Sequence, residues 1–332
     1  MPASGFNHWD IAAGKGNKPS PKRDWRSYNE ELVVRGEFLL NVRPFKRWKR
    51  ELKKANENKR GRPYLYPDSF VRWQAVWHQW VDYRGLEGIA RALKAFHLIP
   101  RADDYTTAWH RISKMVPEIR LPSAKELEIA ADGTGLKTGS ADEYLTYRYG
   151  RPEKTKKHVL LVITVDGKRR KLLSADAYIE GRGHSEARTA VTMVAEVRER
   201  GKRIKRFYGD GAYDASLVFS SLRDAENAVK IRTNATTYRS RGSKRRRDEV
   251  RRYHSLGYKR WKEQTGYGRR WAAEGFFLAM KRKFGEDTSS RKPQTLTVEA
   301  VQRAWAYDEM ACYAGARTRK GEARESTRKS TA

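Results

Sequence analysis

The sequence predicts an α/β protein in which an all-helical region precedes a mixed β-sheet flanked by helices. Up to about residue 115, apolar residues recur at three- and four-residue steps, the spacing of helices that bury one face. After Pro117 and Pro122 the pattern changes to short apolar runs that end at Asp or Gly, which is typical of strands. Three such runs come first and helices then alternate with strands. This order favours a mixed sheet covered by helices.

The chain is strongly basic. Its 332 residues include 71 Lys and Arg against 40 Asp and Glu, which gives a formal net charge of +31. Such an excess indicates a polyanionic partner, and nucleic acid is the polyanion that it favours. A ribosome-associated role or a bias toward solubility explains the same charge.

The composition also excludes several classes of protein. No run approaches the roughly 20 apolar residues that a membrane-spanning helix needs. The single cysteine, Cys312, excludes an intrachain disulfide framework and a Cys-rich zinc site. The first 25 residues contain no apolar core of an export signal. We therefore expect a cytoplasmic protein associated with the nucleoid.

Residues 24–120 are predicted to form a helical, helix-turn-helix-like DNA-binding domain, after a disordered basic lead-in at residues 1–23. Phe70, Trp73, Trp77 and neighbouring apolar residues form a stripe at helical spacing, which indicates a core. The segment after it divides around residues 97–104 into two short helices joined by a turn, the second opening at Tyr105. This pattern fits a helix-turn-helix, and plain helix packing fits it equally well.

The second half, residues 121–315, is predicted to be the domain that contains the sheet. A strand over residues 127–135 is followed by a hairpin whose strands span 158–165 and 170–177 and whose turn is Asp166-Gly167. The elements predicted after the hairpin are a helix over 185–200, a strand over 203–210, a helix over 214–227, a strand over 228–234 and a helix from about residue 268.

Two segments are too charged for a core. Residues 239–252 hold eight basic and two acidic residues, so we expect a mobile loop or a DNA-contacting arm in which Arg245, Arg246 and Arg247 bind DNA. Residues 316–332 form a basic, Ser- and Thr-rich tail that we expect to be frayed.

Three acidic residues occupy positions suited to metal chemistry. Asp132 follows the apolar part of the first strand, Asp210 ends the strand over 203–210, and Glu274 lies in the last predicted helix. Carboxylates brought together repel one another, and a divalent cation relieves the repulsion. Oxygen ligands favour Mg²⁺ or Mn²⁺, and two such ions about 3.5–4 Å apart promote phosphodiester chemistry.

The helix around Glu274 presents a polar stripe. At about 100° for each residue, Tyr267, Arg270 and Lys281 lie within about 40° of Glu274, apart from the apolar face. An ordinary surface pair between Arg270 and Glu274 explains part of this pattern.

The spacing Tyr267-x2-Arg270-x3-Glu274-x6-Lys281 resembles the Tyr-Arg-Glu-Lys signature of DDE transposases of prokaryotic insertion sequences, in the large group named after insertion sequences four and five. The segment Asp132-Gly-Thr-Gly is similar to the first-Asp block of that family. The segment Gly209-Asp210-Gly-Ala-Tyr-Asp214 is similar to its second block. We interpret Asp214 as the N-cap of the helix that follows, over residues 215–226.

The resemblance implies a ribonuclease-H-like catalytic domain in which Asp132, Asp210 and Glu274 bind two Mg²⁺ or Mn²⁺ ions. It implies that Tyr267, Arg270 and Lys281 position the DNA strand near the cut. The expected activity is binding of terminal inverted repeats, metal-dependent strand cleavage and strand transfer to target DNA, by a homodimer on double-stranded DNA. The alternatives are a metal-dependent nuclease or resolvase on the same fold and a non-catalytic DNA-binding regulator.

Overall fold

The computed structural model describes residues 24–138, 158–179, 183–232, 234–235 and 243–330. The predicted lead-in at residues 1–23 lies outside these ranges. Within them, no helix is long and apolar enough to cross a membrane.

The described residues before the sheet form helices, as the sequence predicted. They are α1 (Trp25–Leu39), α2 (Trp48–Asn56), α3 (Asp68–Trp77), α4 (Tyr83–Ala95) and α5 (Tyr105–Ile112), with a short 3-10 helix at Arg43–Arg47 before α2. Asp side chains begin three of them, because Asp24, Asp82 and Asp104 accept hydrogen bonds from the first free backbone amides of α1, α4 and α5. The predicted division into two short helices around residues 97–104 is confirmed.

A mixed sheet forms the second part. Its strands are β1 (Glu126–Thr138), β2 (His158–Asp166), β3 (Leu172–Ile179), β4 (Arg203–Gly209), β5 (Glu226–Val229) and the short β6 (Asp287–Thr288). The order is β3-β2-β1-β4-β5, and β6 pairs with the end of β1. The β1–β2 and β2–β3 pairs are antiparallel, whereas β1–β4 and β4–β5 are parallel. This order is consistent with the ribonuclease-H-like fold that the resemblance implies.

Helices cover both faces of the sheet because side chains alternate along β1. Leu127, Ile129 and Ala131 belong to a core with α6 (Glu186–Glu199) and α7 (Ser216–Ser221). Ala130 and Leu136 belong to a core with α9 (Trp271–Phe284) and α10 (Pro293–Ser330). The described residues also form α8 (Lys244–Thr265) and two short 3-10 helices at Gly211–Tyr213 and Tyr267–Arg270.

The helical region shares a core with the sheet. Val71 of α3, Leu86 of α4 and Ile112 of α5 are buried in the same cluster as Ala130 and Leu136. A separate aromatic cluster of the helical region contains Phe45, Trp48 and Phe70. The aromatic stripe of α3 is therefore core, as the sequence indicated.

Several expectations need correction. Residues 244–252 form the start of α8 rather than a loop, although residues 236–242 lie outside the described ranges. The helix after Asp214 spans only Ser216–Ser221, and Ala215 occupies its N-cap position, so Asp214 is not a cap. Its side chain is instead buried against Arg246. The chain over residues 316–330 continues α10 as a helix where a frayed tail was expected.

One buried carboxylate joins α10 to the edge of the sheet. Asp308 is 3% exposed; it accepts a hydrogen bond of 2.9 Å from the backbone amide of Leu172 and lies 2.9 Å from Lys171 Nζ. Gln302, one and a half turns earlier, donates to the carbonyls of Ile112 and Met115 at 2.7 and 2.9 Å. α10 therefore holds the sheet and α5 together through polar contacts inside the apolar core.

Replacing Asp308 with Ala should lower the free energy of unfolding by roughly 3 kcal/mol, because it leaves a largely buried Lys171 ammonium and the Leu172 amide without their acceptor. Urea denaturation followed by circular dichroism measures the change. The matched control is Asp224→Ala, which removes a more exposed partner of Arg198 and should cost less than about 1 kcal/mol. Equal losses in the two variants would contradict a structural role for Asp308.

Candidate functional site

Two of the predicted acids lie side by side because β1 and β4 are parallel neighbours. Ala130 of β1 is opposite Tyr208 of β4. Asp132 and Asp210 each follow two residues later in their own segments, so the strand register brings both to the place where β4 ends beside the middle of β1. Asp210 Oδ1 accepts a hydrogen bond of 2.8 Å from the amide of Ala212, which starts the 3-10 helix after β4.

The third acid, Glu274, lies in the first turn of α9, which packs against β1. An arginine links it to the strand: Arg270 forms an ion pair with Glu274, and its Nη1 lies 3.9 Å from Asp132 Oδ2. The Arg270 and Glu274 side chains are 18% and 31% exposed. The pair is thus part of a sheltered cluster and not an ordinary surface contact.

Tyr267 supports Arg270 from the side. Its ring is buried, packs against Trp261 at 5.1 Å between centroids, and has the Arg270 guanidinium carbon 5.7 Å from its own centroid. Burial raises the pKa of Tyr267 to about 12. The hydroxyl therefore stays protonated and remains a hydrogen-bond donor at any physiological pH.

The surroundings of Asp132 raise the pKa of its carboxyl group. Burial is the main cause that raises the pKa of Asp132 to about 6, and repulsion by Asp210 and Glu274 adds to it. Arg270 and the amide of Gly133, which donates to Asp132 Oδ1 at 3.1 Å, act in the opposite direction. Asp132 is therefore close enough to Asp210 and to Glu274 to feel the charge of each.

The donor chemistry of the site fits a hard divalent cation, since all the ligands would be carboxylate oxygens that repel one another. The positions of the three carboxylates, however, do not form a ready metal site. Among the described residues, no three His, Cys, Asp or Glu side chains are arranged closely enough to hold a metal ion. The Arg270 guanidinium lies between Asp132 and Glu274 and supplies the positive charge there.

A second carboxylate of β1, which the sequence analysis did not identify, fixes the segment that carries Arg270. Glu128 is 5% exposed, lies 3.0 Å from Lys168 Nζ, accepts a 2.8 Å hydrogen bond from the Tyr208 hydroxyl and pairs with Arg269. Although burial acts to raise it, hydrogen bonds from these three residues hold the pKa of Glu128 at about 2. Glu128 thereby anchors the residue next to Arg270 to the sheet.

The other predicted DNA-contacting residues have partners within the chain. Lys281 lies two turns beyond Glu274, and its Nζ is 3.4 Å from Glu286 Oε1. Arg245 donates to the carbonyl of Ala225 at 2.6 Å, and Arg246 forms a two-pronged pair with Asp214 at 2.7 and 2.9 Å. Arg246 therefore has a structural partner that the sequence pattern did not reveal.

Two family profiles and a relative match parts of this chain. The sequence profile of a family described as "Transposase DDE domain" matches residues 123–308, more than half of the chain. A second profile with the same description matches residues 33–140. An uncharacterized protein of Aquifex aeolicus is 28% identical over 204 residues, which are 56% of this chain and 61% of that protein. The chain thus spans about three fifths of the length of this relative.

The raised pKa of Asp132 predicts a pH-dependent loss of stability in the metal-free protein. Between pH 3.8 and about 6 the unfolded chain has lost this proton while the folded chain still holds it, so stability falls as pH rises through that window. The difference between 3.8 and about 6 corresponds to about 3 kcal/mol.

Unfolding in urea with a chelator present, at several pH values from 4 to 8, measures this loss. The stability of the wild-type protein should fall relative to that of Asp132→Asn by up to about 3 kcal/mol, because the amide does not ionise. A constant difference between the two proteins across this range would show that the Asp132 carboxylate is not perturbed.

Proposed function

This chain belongs to the family of transposases with a DDE domain, and on that premise we propose that it binds the terminal inverted repeats of an insertion sequence, cuts the DNA there and joins the exposed 3′ ends to target DNA. The proposal is supported by the parallel register of β1 and β4, which places Asp132 near Asp210, and by Arg270, which lies between Asp132 and Glu274. We further propose membership of the group named after insertion sequences four and five, on the spacing from Tyr267 to Lys281.

Transposases of this family typically use divalent metal ions. Asp132, Asp210 and Glu274 would hold Mg²⁺ or Mn²⁺, and we propose two ions. When bound, the ions supply Lewis-acid chemistry that favours in-line phosphoryl transfer. The raised pKa of Asp132 supports this assignment, because a site that disfavours its own negative charge gains from a cation.

Arg270 is suited to bind a DNA phosphate. Its Nε is buried and has no hydrogen-bond partner among the described residues, while its Nη atoms face Asp132 and Glu274. A phosphate would therefore meet the exposed part of the guanidinium, and guanidinium groups bind phosphate strongly. We propose that Tyr267 and Lys281 contact the same DNA strand, Tyr267 through its protonated hydroxyl and Lys281 through its ammonium group.

The DNA duplex would contact other parts of the chain. The net charge of +31 supports salt-sensitive binding to the phosphate backbone. We propose that α4 and α5 read the repeat sequence, because α5 begins at a capped turn and exposes Tyr105 and Trp109. Arg247 remains a proposed backbone contact, and a homodimer on DNA and a location at the nucleoid remain proposals as well.

Two other functions use the same features. A nuclease or resolvase would cut DNA through the same three acids without joining ends, and a regulator would bind DNA without cutting it. A strand-transfer assay with labelled repeat ends separates the three, since only a transposase converts a cut end into a joined product.

Asp132→Asn, Asp210→Asn and Glu274→Gln should each slow strand cleavage by roughly a thousandfold, which is about 4 kcal/mol in the barrier, because amides bind hard cations poorly. Binding to repeat DNA, measured by gel shift with a chelator present, should change little because Lys and Arg supply most of the affinity. Glu263→Gln, an exposed acid of α8, is the control. A variant of any of the three that cuts at the wild-type rate in Mg²⁺ would remove that residue from the site.

Lys281 and Arg282 offer a matched pair for testing contact with the DNA strand. Lys281 lies on the stripe of Glu274 and is 22% exposed, whereas Arg282 is exposed and points elsewhere on α9. Lys281→Ala should slow cleavage and reduce the salt dependence of binding by about one phosphate contact. Stability should change by less than about 1 kcal/mol in both variants. Equal cleavage rates in Lys281→Ala and Arg282→Ala would rule out the proposed role.

A further inference from the structure

Two lysines from different elements meet at one exposed carboxylate. Lys137 Nζ, at the end of β1, lies 3.5 Å from Glu286 Oε2, and Lys281 Nζ, on α9, lies 3.4 Å from Glu286 Oε1. The carboxylate therefore bridges the two ammonium groups, with one oxygen at each. The charge of Lys281 is the main cause that lowers the pKa of Glu286, and Lys137 acts in the same direction. Glu286 is thus ionised at neutral pH and sets one negative charge against two positive charges.

The backbone on both sides of Glu286 is held in place. Gly285, directly after α9, has a φ of +80°, which favours glycine, and turns the chain into β6. The amide of Lys137 donates to the carbonyl of Glu286 at 2.9 Å where β1 pairs with β6. The buried Arg303 donates to the carbonyls of Gly285 and Asp287 at 3.2 and 2.9 Å. The Glu286 side chain can therefore leave the two lysines without any change in the backbone that carries it.

The bridge between the lysines costs little to open. The side chains of Glu286 and Lys137 are 45% and 61% exposed, and that of Lys281 is 22% exposed. Ion pairs with this much exposure each stabilise by a factor of at most about five. A DNA phosphate carries one negative charge on two terminal oxygens, as a carboxylate does, and it accepts hydrogen bonds from ammonium groups. A phosphate can therefore take the place of the Glu286 carboxylate between the lysines.

The bridge lies within reach of a DNA strand bound at the acids. Lys281 follows Glu274 by seven residues on the same stripe of α9, which is about 10 Å along the helix axis. Successive nucleotides of a duplex strand are about 3.4 Å apart along the axis. A strand that passes the acids along α9 thus reaches the bridge within about three nucleotides.

We propose that Lys137 and Lys281 together bind one phosphate of the DNA strand and that Glu286 occupies this phosphate site when DNA is absent. This inference rests on the proposed function. It adds Lys137 as a second phosphate ligand beside Lys281, and it makes Glu286 an internal competitor that the DNA displaces. The bridge keeps the two lysines together and lowers the affinity for DNA.

The alternative is that the bridge only fastens the link between α9 and β6 to β1. In that case, removal of the Glu286 charge tightens DNA binding only through the net charge, as removal of any exposed acid does. The chain contains a matched control for this effect. Glu126, at the other end of β1, has a 43% exposed side chain, with Oε1 3.7 Å from Arg203 Nε and Oε2 3.9 Å from Lys205 Nζ.

Binding of a terminal-repeat duplex to the full chain distinguishes the two roles. Fluorescence anisotropy at a fixed salt concentration, with a chelator present, gives Kd for each variant. Glu286→Gln should lower Kd about threefold relative to Glu126→Gln, because two ion pairs no longer have to break when the phosphate binds. Equal Kd values for the two variants would overturn the proposal.

A double-mutant cycle tests whether the gain comes from the two lysines. In the background Lys137→Ala/Lys281→Ala, Glu286→Gln should tighten binding no more than Glu126→Gln does, because the carboxylate then has no phosphate ligands to cover. A threefold gain that persists without the lysines would contradict competition for them.

Lys137 is tested by a variant of its own and by a conservative replacement. Lys137→Ala should weaken binding of the duplex about threefold, and Lys137→Arg should retain most of the affinity because it keeps the charge. Lys125→Ala removes an exposed lysine just before β1 and should bind close to wild type. Equal losses in Lys137→Ala and Lys125→Ala would remove Lys137 from the phosphate site.

The same measurements separate failure of this inference from failure of the proposed function. Cleavage and joining of repeat ends by the wild-type protein, together with equal Kd values for Glu286→Gln and Glu126→Gln, would reject only the competition by Glu286. A wild-type protein that does not bind the duplex would reject the proposed function and this inference together.

Discussion

Repulsion among neighbouring carboxylates is the constraint around which the surrounding chain is arranged. The parallel pairing of β1 and β4 brings Asp132 beside Asp210, and α9 adds Glu274. Without DNA or metal, the guanidinium of Arg270 compensates for part of this charge. Arg270 in turn depends on its neighbour Arg269, which Glu128 holds against the sheet. The positions of Asp132 and Glu274 thus depend on the ion pairs that Arg270 and Arg269 make with them and with Glu128.

The loop after β4 is held in a similar way from the other side. Asp214, four residues after Asp210, is buried and paired with Arg246 of α8. It also accepts a hydrogen bond of 3.1 Å from the amide of Arg232, whose side chain donates to the carbonyl of Gly211. A buried charge pair of this kind contributes little net stability but strongly disfavours other arrangements of the loop. Arg246, at the start of α8, therefore helps to hold the loop that carries Asp210 in place.

The sequence was sufficient for the parts that depend on local pattern. Apolar periodicity predicted α3, α4 and α5 and the strands β1 to β4, and the acids that follow the apolar runs of β1 and β4 predicted that Asp132 and Asp210 would meet. The strand predicted over 228–234 lies earlier, at Glu226–Val229, and β6 was not predicted. The sequence alone did not predict contacts between residues that are far apart in the chain. The run of arginines from 245 to 247 has the composition of a solvated arm, and only the fold reveals that Arg246 meets Asp214, 32 positions earlier.

The core shared by α3, α4, α5 and the sheet limits how this protein can be re-engineered. Gln302 of α10 is bonded to the end of α5, and Val71, Leu86 and Ile112 lie in one apolar cluster with β1. Replacing residues 24–120 would expose the apolar surface of the sheet against which these helices pack, and exposed apolar surface promotes aggregation. Redesign of this chain therefore has to change exposed side chains while the packed core stays intact, because its two parts do not fold as separable modules.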